Sequence, residues 1–165
     1  KGAIRFEGAL NSWSSVSNST FHNGLGWGHA IYKSENIYMQ NNIWWGFRPL
    51  GGVWDEVKNI TFDGNVIAHV VDRTTFVSMD MLLDKKAGLS VCAYRGTTCS
   101  GLSIVNNLIA GTAYAGFIVP GHDCADENQK VFRDNTAHSI YGTNNEGHGA
   151  IIYAQKGNPN LATCM

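Results

Sequence analysis

The sequence predicts an all-β chain wound as a right-handed parallel β-helix, a solenoid of about seven coils. Three observations predict it: a composition rich in glycine and asparagine and poor in charge, short runs of alternating apolar and polar residues, and one residue type returning at one corner of a repeated unit. Charged residues make up 15%, against about a quarter in an ordinary soluble domain. There are 19 glycines, 16 asparagines and only 3 prolines, and no long Ala/Glu/Lys/Leu stretches from which a helical bundle is built. Hydrophobic residues at 44% and aromatic ones at 11% supply a core, which excludes disorder. With 165 residues the chain fits one domain, so residues 1–165 read as a single β-helix segment with a Cys-containing insertion near 120–130.

The repeat is read from the sequence directly. Ile37-Tyr-Met-Gln-Asn-Asn42-Ile-Trp resembles Ile60-Thr-Phe-Asp-Gly-Asn65-Val-Ile, Leu102-Ser-Ile-Val-Asn-Asn107-Leu-Ile and Lys130-Val-Phe-Arg-Asp-Asn135-Thr-Ala. Ser19-Thr-Phe-His-Asn-Gly24-Leu-Gly reads as a degenerate first copy. With Gly24, Asn42, Asn65, Asn107 and Asn135 as equivalent anchors, the spacings are 18, 23, 42 and 28. The 42 is read as two coils of about 21, one of them diverged near residues 80–90. Apolar residues lie three before each anchor (Phe21, Met39, Phe62, Ile104, Phe132), and Leu25, Ile43, Val66, Leu108 and Thr136 follow it. Such short strands cannot bury an inner face alone, and stacking like upon like solves that. Asparagine suits the corner because it tolerates the left-handed conformation and its amide can bond to the next asparagine in the stack. A second strand per coil is visible in Gly28-His-Ala-Ile-Tyr, Gly116-Phe-Ile-Val and Gly149-Ala-Ile-Ile-Tyr. An antiparallel sandwich would explain the alternation but not the recurring corner residue.

Four cysteines, Cys92, Cys99, Cys124 and Cys164, show neither C-x-x-C nor a zinc spacing. Of three possible connectivities, Cys92–Cys99 across a short polar stretch, leaving Cys124 for Cys164, has the best local logic; four buried thiols is the alternative. Acceptor sequences for N-glycans begin at Asn18 and Asn59, which with the even cysteine count favours the secretory route.

Several segments resemble the parallel β-helix region of fibrocystin and fibrocystin-like proteins. They are Phe117-Ile-Val-Pro-Gly-His-Asp-Cys124, Val131-Phe-Arg-Asp-Asn-Thr-Ala-His-Ser139 and Gly147-His-Gly-Ala150, together with Asn41-Asn-Ile-Trp-Trp45, Val57-Lys-Asn-Ile-Thr-Phe-Asp-Gly-Asn-Val66 and Leu89-Ser-Val-Cys-Ala-Tyr94. The resemblance implies a very large ectodomain on cilia or cell surfaces, with a membrane span elsewhere. The same repeats occur in cell-surface hyaluronan-degrading proteins.

Chemistry is sparse. Gly147-His-Gly149 matches one short motif of pectin-hydrolysing β-helix enzymes, but Asp55, Glu56, Asp63, Asp123 and Asp126 are scattered, without the paired carboxylates that acid–base cleavage needs. A lyase would need several carboxylates around calcium and a basic group; Arg73 and Arg133, beside Asp72 and Asp134, read as surface ion pairs. His138 sits at the offset of Ala68 and Ala110 and is expected to face inward or into a turn. His122, His138 and His148 form a metal or glycan set only if the insertion folds over the stack. Trp27 and Trp45 share an offset and are expected to stack on consecutive coils, with Trp44 and Trp54 nearby, as packing or as a sugar-binding row.

The function expected is a non-catalytic structural and recognition segment of an extracellular or ciliary-surface glycoprotein, with no cofactor and no metal. The rivals are a fragment of a polysaccharide-directed enzyme and a glycan-binding module without turnover. A net charge of −1 gives no footprint for nucleic acid, and no apolar run approaches the roughly 18 residues of a membrane span. Lys1 and Met165 show no start or stop pattern, so the chain is expected to belong to a longer parent. Its end coils would pair with more of that chain or self-associate into filaments or arrays.

Overall fold

The structure, a computed structural model, describes residues 2–10, 13–24, 27–47, 51–54, 57–70, 87–92, 99–123, 131–142, 147–153 and 163–164. These residues form β-strands and connections, with no helix among them. In chain order the strands are β1 (Gly2–Glu7), β2 (Ser14–Ser17) and β3 (Thr20–His22), then β4 (Trp27–Tyr32), β5 (Glu35–Gln40) and β6 (Ile43–Trp45). Next come β7 (Gly51–Trp54), β8 (Val57–Asp63) and β9 (Val66–Val70), followed by β10 (Ala87–Val91), β11 (Cys99–Val105) and β12 (Leu108–Thr112). The last group is β13 (Ala115–Pro120), β14 (His122–Asp123), β15 (Val131–Arg133), β16 (Thr136–His138), β17 (His148–Tyr153) and β18 (Thr163–Cys164).

Every third strand pairs with its like. A first, six-stranded sheet has the order β1-β4-β7-β10-β13-β17, a second runs β2-β5-β8-β11-β15, and a third runs β3-β6-β9-β12-β16. All pairings in these three sheets are parallel. Among the described residues only β14 and β18 pair antiparallel, as a separate ribbon.

Register stacks apolar residues in columns. Val16, Met39, Phe62, Ile104 and Phe132 are side by side in the second sheet; Phe21, Trp44, Ile67, Ile109 and Ala137 are side by side in the third. The middle members of both columns are fully buried and share one core with Ile31, Leu89, Val91 and Phe117 of the first sheet. Each such side chain withdrawn from water stabilises the fold by about 1.5–3 kcal/mol. The first sheet is also buried on its other face, where Ala30, Ser90 and Ile118 are covered and Ala87, Ala115 and Ile118 form a small second cluster. Most described outward residues of the second and third sheets, by contrast, reach the surface; Val105 is an exception.

The pairings correct three parts of the sequence reading. Thr20 pairs with Ile43, so the residue equivalent to Asn42 is Ser19, not Gly24, and the first spacing is 23. Gly24 instead lies where a Cβ would collide with the Phe47 ring. Leu108 pairs directly with Val66, so the 42 residues from Asn65 to Asn107 make one step of the stack rather than two. With that step counted once, the sheets hold six, five and five strands among the described residues, fewer than seven. The excess length falls in residues 71–86 and 92–98.

The third correction concerns the corner itself. The left-handed residue is the one before each anchor: Asn18 (φ 51°), Asn41 (52°), Gly64 (66°), Asn106 (57°) and Asp134 (56°). These carry the turn from the second sheet into the third, and each anchor is thereby freed to point inward.

Where the chain turns from the third sheet into the first, Gly88, Gly116 and Gly149 lie side by side. A Cβ on Gly116 would stand 2.6 Å from Ala137 Cβ and 2.6 Å from the Gly149 carbonyl oxygen. Glycine therefore lets β16 close on β13. Gly116→Ala is expected to cost about 2 kcal/mol by overpacking. Gly149→Ala, where a Cβ meets nothing within 4 Å, serves as the near-neutral control in the same denaturant titrations.

Candidate functional site

The anchors Asn42, Asn65 and Asn107 are buried, and hydrogen bonds run the length of the column. The Asn65 Oδ1 accepts from the Asn42 backbone N–H (3.1 Å) and the Asn42 Nδ2 (3.1 Å). Asn65 in turn donates its N–H and Nδ2 to Asn107 Oδ1, both at 3.0 Å, and Nδ2 also to the Met39 carbonyl at 2.8 Å. Asn107 repeats the pattern with Asn135 and the Phe62 carbonyl, and Asn135 donates to the Ile104 carbonyl. At the other end the Ser19 N–H donates to Asn42 Oδ1. Each amide uses its donors and acceptor within the stack, which is how a polar group survives in this core. The ladder is structural, and the surfaces around it are where recognition chemistry can lie.

Asn18 and Asn59 are both exposed. Asn59 Nδ2 donates to Asn36 Oδ1 (3.0 Å), in a short outer column of left-handed residues, Asn36, Asn59 and Gly101. Cys92 and Cys99 form a disulfide, both half-cystines buried beside the core. Cys124 lies outside the described residues, so the proposed pairing with Cys164 does too. The backbone of β18 sets Cys164 opposite His122 and Thr163 opposite Asp123.

The candidate histidines part company. His138 is exposed rather than inward, because it shares its outward row with Trp45, Ala68 and Ala110; its ring meets Ser139 Oγ at 3.0 Å. His148 packs edge-on against Tyr114, with ring centroids 5.2 Å apart. Among the described residues no three His, Cys, Asp or Glu side chains group as a metal site. Asp55, Glu56, Asp72, Arg73 and Asp126 lie outside the described residues. Arg133 and Asp134 pair at the surface, and Asp63 accepts from Asn106 Nδ2 at 3.0 Å.

Trp27 and Trp45 do not stack, since β4 belongs to the first sheet and β6 to the third. Trp45 instead lies against His69 on the outside (5.7 Å, 22°), while Trp44 stacks inward on Phe21 at 4.4 Å.

Two features carried no sequence signal strong enough to single them out. His29 is completely buried against Trp44 and Phe62, at 5.6 and 5.3 Å between ring centroids, and neither ring nitrogen has a hydrogen-bond partner. Burial pushes its pKa down from the ordinary 6.5 to about 4. Its place in the alternating run Gly28-His-Ala-Ile-Tyr was the available clue. On the outside of the second sheet, Trp13 is 75% exposed and stacks on Tyr38, centroids 5.3 Å apart and planes 11° apart.

Comparison with family models, curated proteins and solved structures finds no match for this chain.

Proposed function

We propose that the chain is a right-handed parallel β-helix serving as a rigid, non-catalytic spacer and recognition segment of a large extracellular or ciliary-surface glycoprotein, of the kind that fibrocystin-like proteins exemplify. The observation that carries this reading is the cyclic order in which the chain visits three parallel sheets, locked by one asparagine ladder. Right-handed winding follows from the crossover preference of parallel strands. At about 4.8 Å per strand, five stacked rounds extend some 24 Å of stiff rod. The Cys92–Cys99 disulfide supports an oxidising compartment.

End-to-end stacking fits the same picture. Ile152 on the outermost strand β17 is 45% exposed, whereas Val119, in register beside it, is 2% exposed. A further coil of a parent chain or a neighbouring molecule would cover that row.

The test is expression in a secretory host followed by peptide mapping. A glycan is expected on Asn18, whose side chain is exposed at a left-handed corner, ahead of Asn59, whose amide is engaged with Asn36. Unmodified peptides at both sites overturn the extracellular assignment. Cleavage of any member of a polysaccharide panel overturns the non-catalytic one.

A further inference from the structure

On the outside of the second sheet, Tyr38, Thr61 and Ser103 stand in register on β5, β8 and β11, and Gln40 stands beside Asp63. Tyr38 and Gln40 face outward because Ile37 and Met39, which alternate with them, are fully buried. Neighbours across strands are about 4.8 Å apart and the two rows about 7 Å apart, a flat grid of hydroxyl, amide and carboxylate groups. At one edge the Trp13–Tyr38 stack supplies an aromatic plane, held flat by the ring beneath it and open to water.

We propose that this face binds a neutral, linear glycan. The proposal deepens the extracellular recognition role above and rests on it. The apolar C–H face of a pyranose ring packs on an exposed indole, which is where a 75% exposed Trp13 gains from being covered. Planar amides and carboxylates then exchange paired hydrogen bonds with adjacent hydroxyls. The Asp63 carboxylate is already oriented by Asn106 Nδ2, which reduces the ordering that binding would demand.

Charge selects among glycans. Among the described residues the grid carries the Asp63 carboxylate, and the cations beside it are already paired with acids: Arg133, two strands along the same row, with Asp134, and Lys58 with Glu35. An anionic sugar would meet repulsion there without a compensating partner. The third sheet's outer face offers Trp45 but is a poorer site, since its outward neighbours His22, Ala68 and Ala110 include no amide or carboxylate.

The test titrates the 165-residue chain with cellohexaose, chitohexaose and hyaluronan hexasaccharide, followed by tryptophan emission and calorimetry. Saturable binding of at least one neutral hexasaccharide is expected, weakened about tenfold or more by Trp13→Ala and by Asp63→Ala, and unchanged by Trp45→Ala. Trp13 is too exposed for its truncation to disturb the fold, and circular dichroism of each variant checks this. The proposal is overturned by any of four results: no binding of either neutral sugar, binding that survives Trp13→Ala, binding lost in Trp45→Ala, or binding of hyaluronan alone. Should the Asn18 glycan be present while neutral sugars fail to bind, this inference falls and the spacer role stands.

Discussion

Asn65→Ala is expected to remove about 4 kcal/mol or more from the unfolding free energy, enough to leave the chain near its stability limit. The side chain is completely buried, and its loss strands two polar groups outright and leaves two more with one partner fewer. The Asn42 N–H loses its acceptor and the Met39 carbonyl a donor, while Asn42 Nδ2 keeps only the Val16 carbonyl and Asn107 Oδ1 only the Asn65 N–H. Each stranded buried group costs about 1–3 kcal/mol, with partial relaxation reducing the sum. Asn65→Asp should be at least as damaging at neutral pH, because it sets an anion beside the Met39 carbonyl and Asn107 Oδ1. Asn41→Gly is the contrast. That residue is exposed and left-handed (φ 52°), a conformation glycine adopts freely, so its change should stay within about 0.5 kcal/mol. Denaturant midpoints decide the matter. A loss below about 1 kcal/mol for Asn65→Ala would mean that the ladder is an accessory of the stack and not its lock.

His29→Leu should stabilise the protein at neutral pH by about 1 kcal/mol and flatten its response to acid. In the native state the ring is neutral, held so by burial, and takes up a proton only near pH 4. In the unfolded chain the same ring protonates below its ordinary 6.5. Between those values the unfolded state binds more protons, so stability is intact above pH 6.5, falls as the pH drops toward 4, and loses nothing further from this group below that. The gap corresponds to about 3 kcal/mol. Carboxylates titrate in part of this range, and the difference between wild type and variant isolates the histidine. Parallel stability–pH curves for the two proteins would show that the imidazole finds a partner or water when charged.

The parallel strands and the asparagine column were legible because they repeat at fixed intervals. Met39, Phe62, Ile104 and Phe132 occupy one column in the order their spacing suggests. Placing Gly24 in the ladder failed for a chemical reason. Asn23-Gly24 lies at a different corner, between the third and first sheets, where Asn23 is also left-handed (φ 56°). Two corners with the same conformational demand recruit the same residues, and a single sequence does not tell them apart. The Trp27–Trp45 stacking inherited that misplaced anchor. His138 was turned inward by the same uncertainty over which side of each strand faces the core. Trp13 went unnoticed because the strand that follows it, Ser14-Ser-Val-Ser17, has one apolar residue and so little periodicity to read.

The connection between the second and third sheets is two residues long each of the five times it occurs: 18–19, 41–42, 64–65, 106–107 and 134–135. The other two corners vary, from two residues at 33–34 and 113–114 to the sixteen of 71–86. One added residue at the short corner would turn the inward side chains of the following strand outward and draw its asparagine out of line. This connection therefore acts as a ruler against which every repeat is measured, while the remaining connections are free to lengthen. Sequence novelty, whether arising by natural insertion or by grafting a foreign loop, has only those connections on which to accumulate without resetting the frame of the rest.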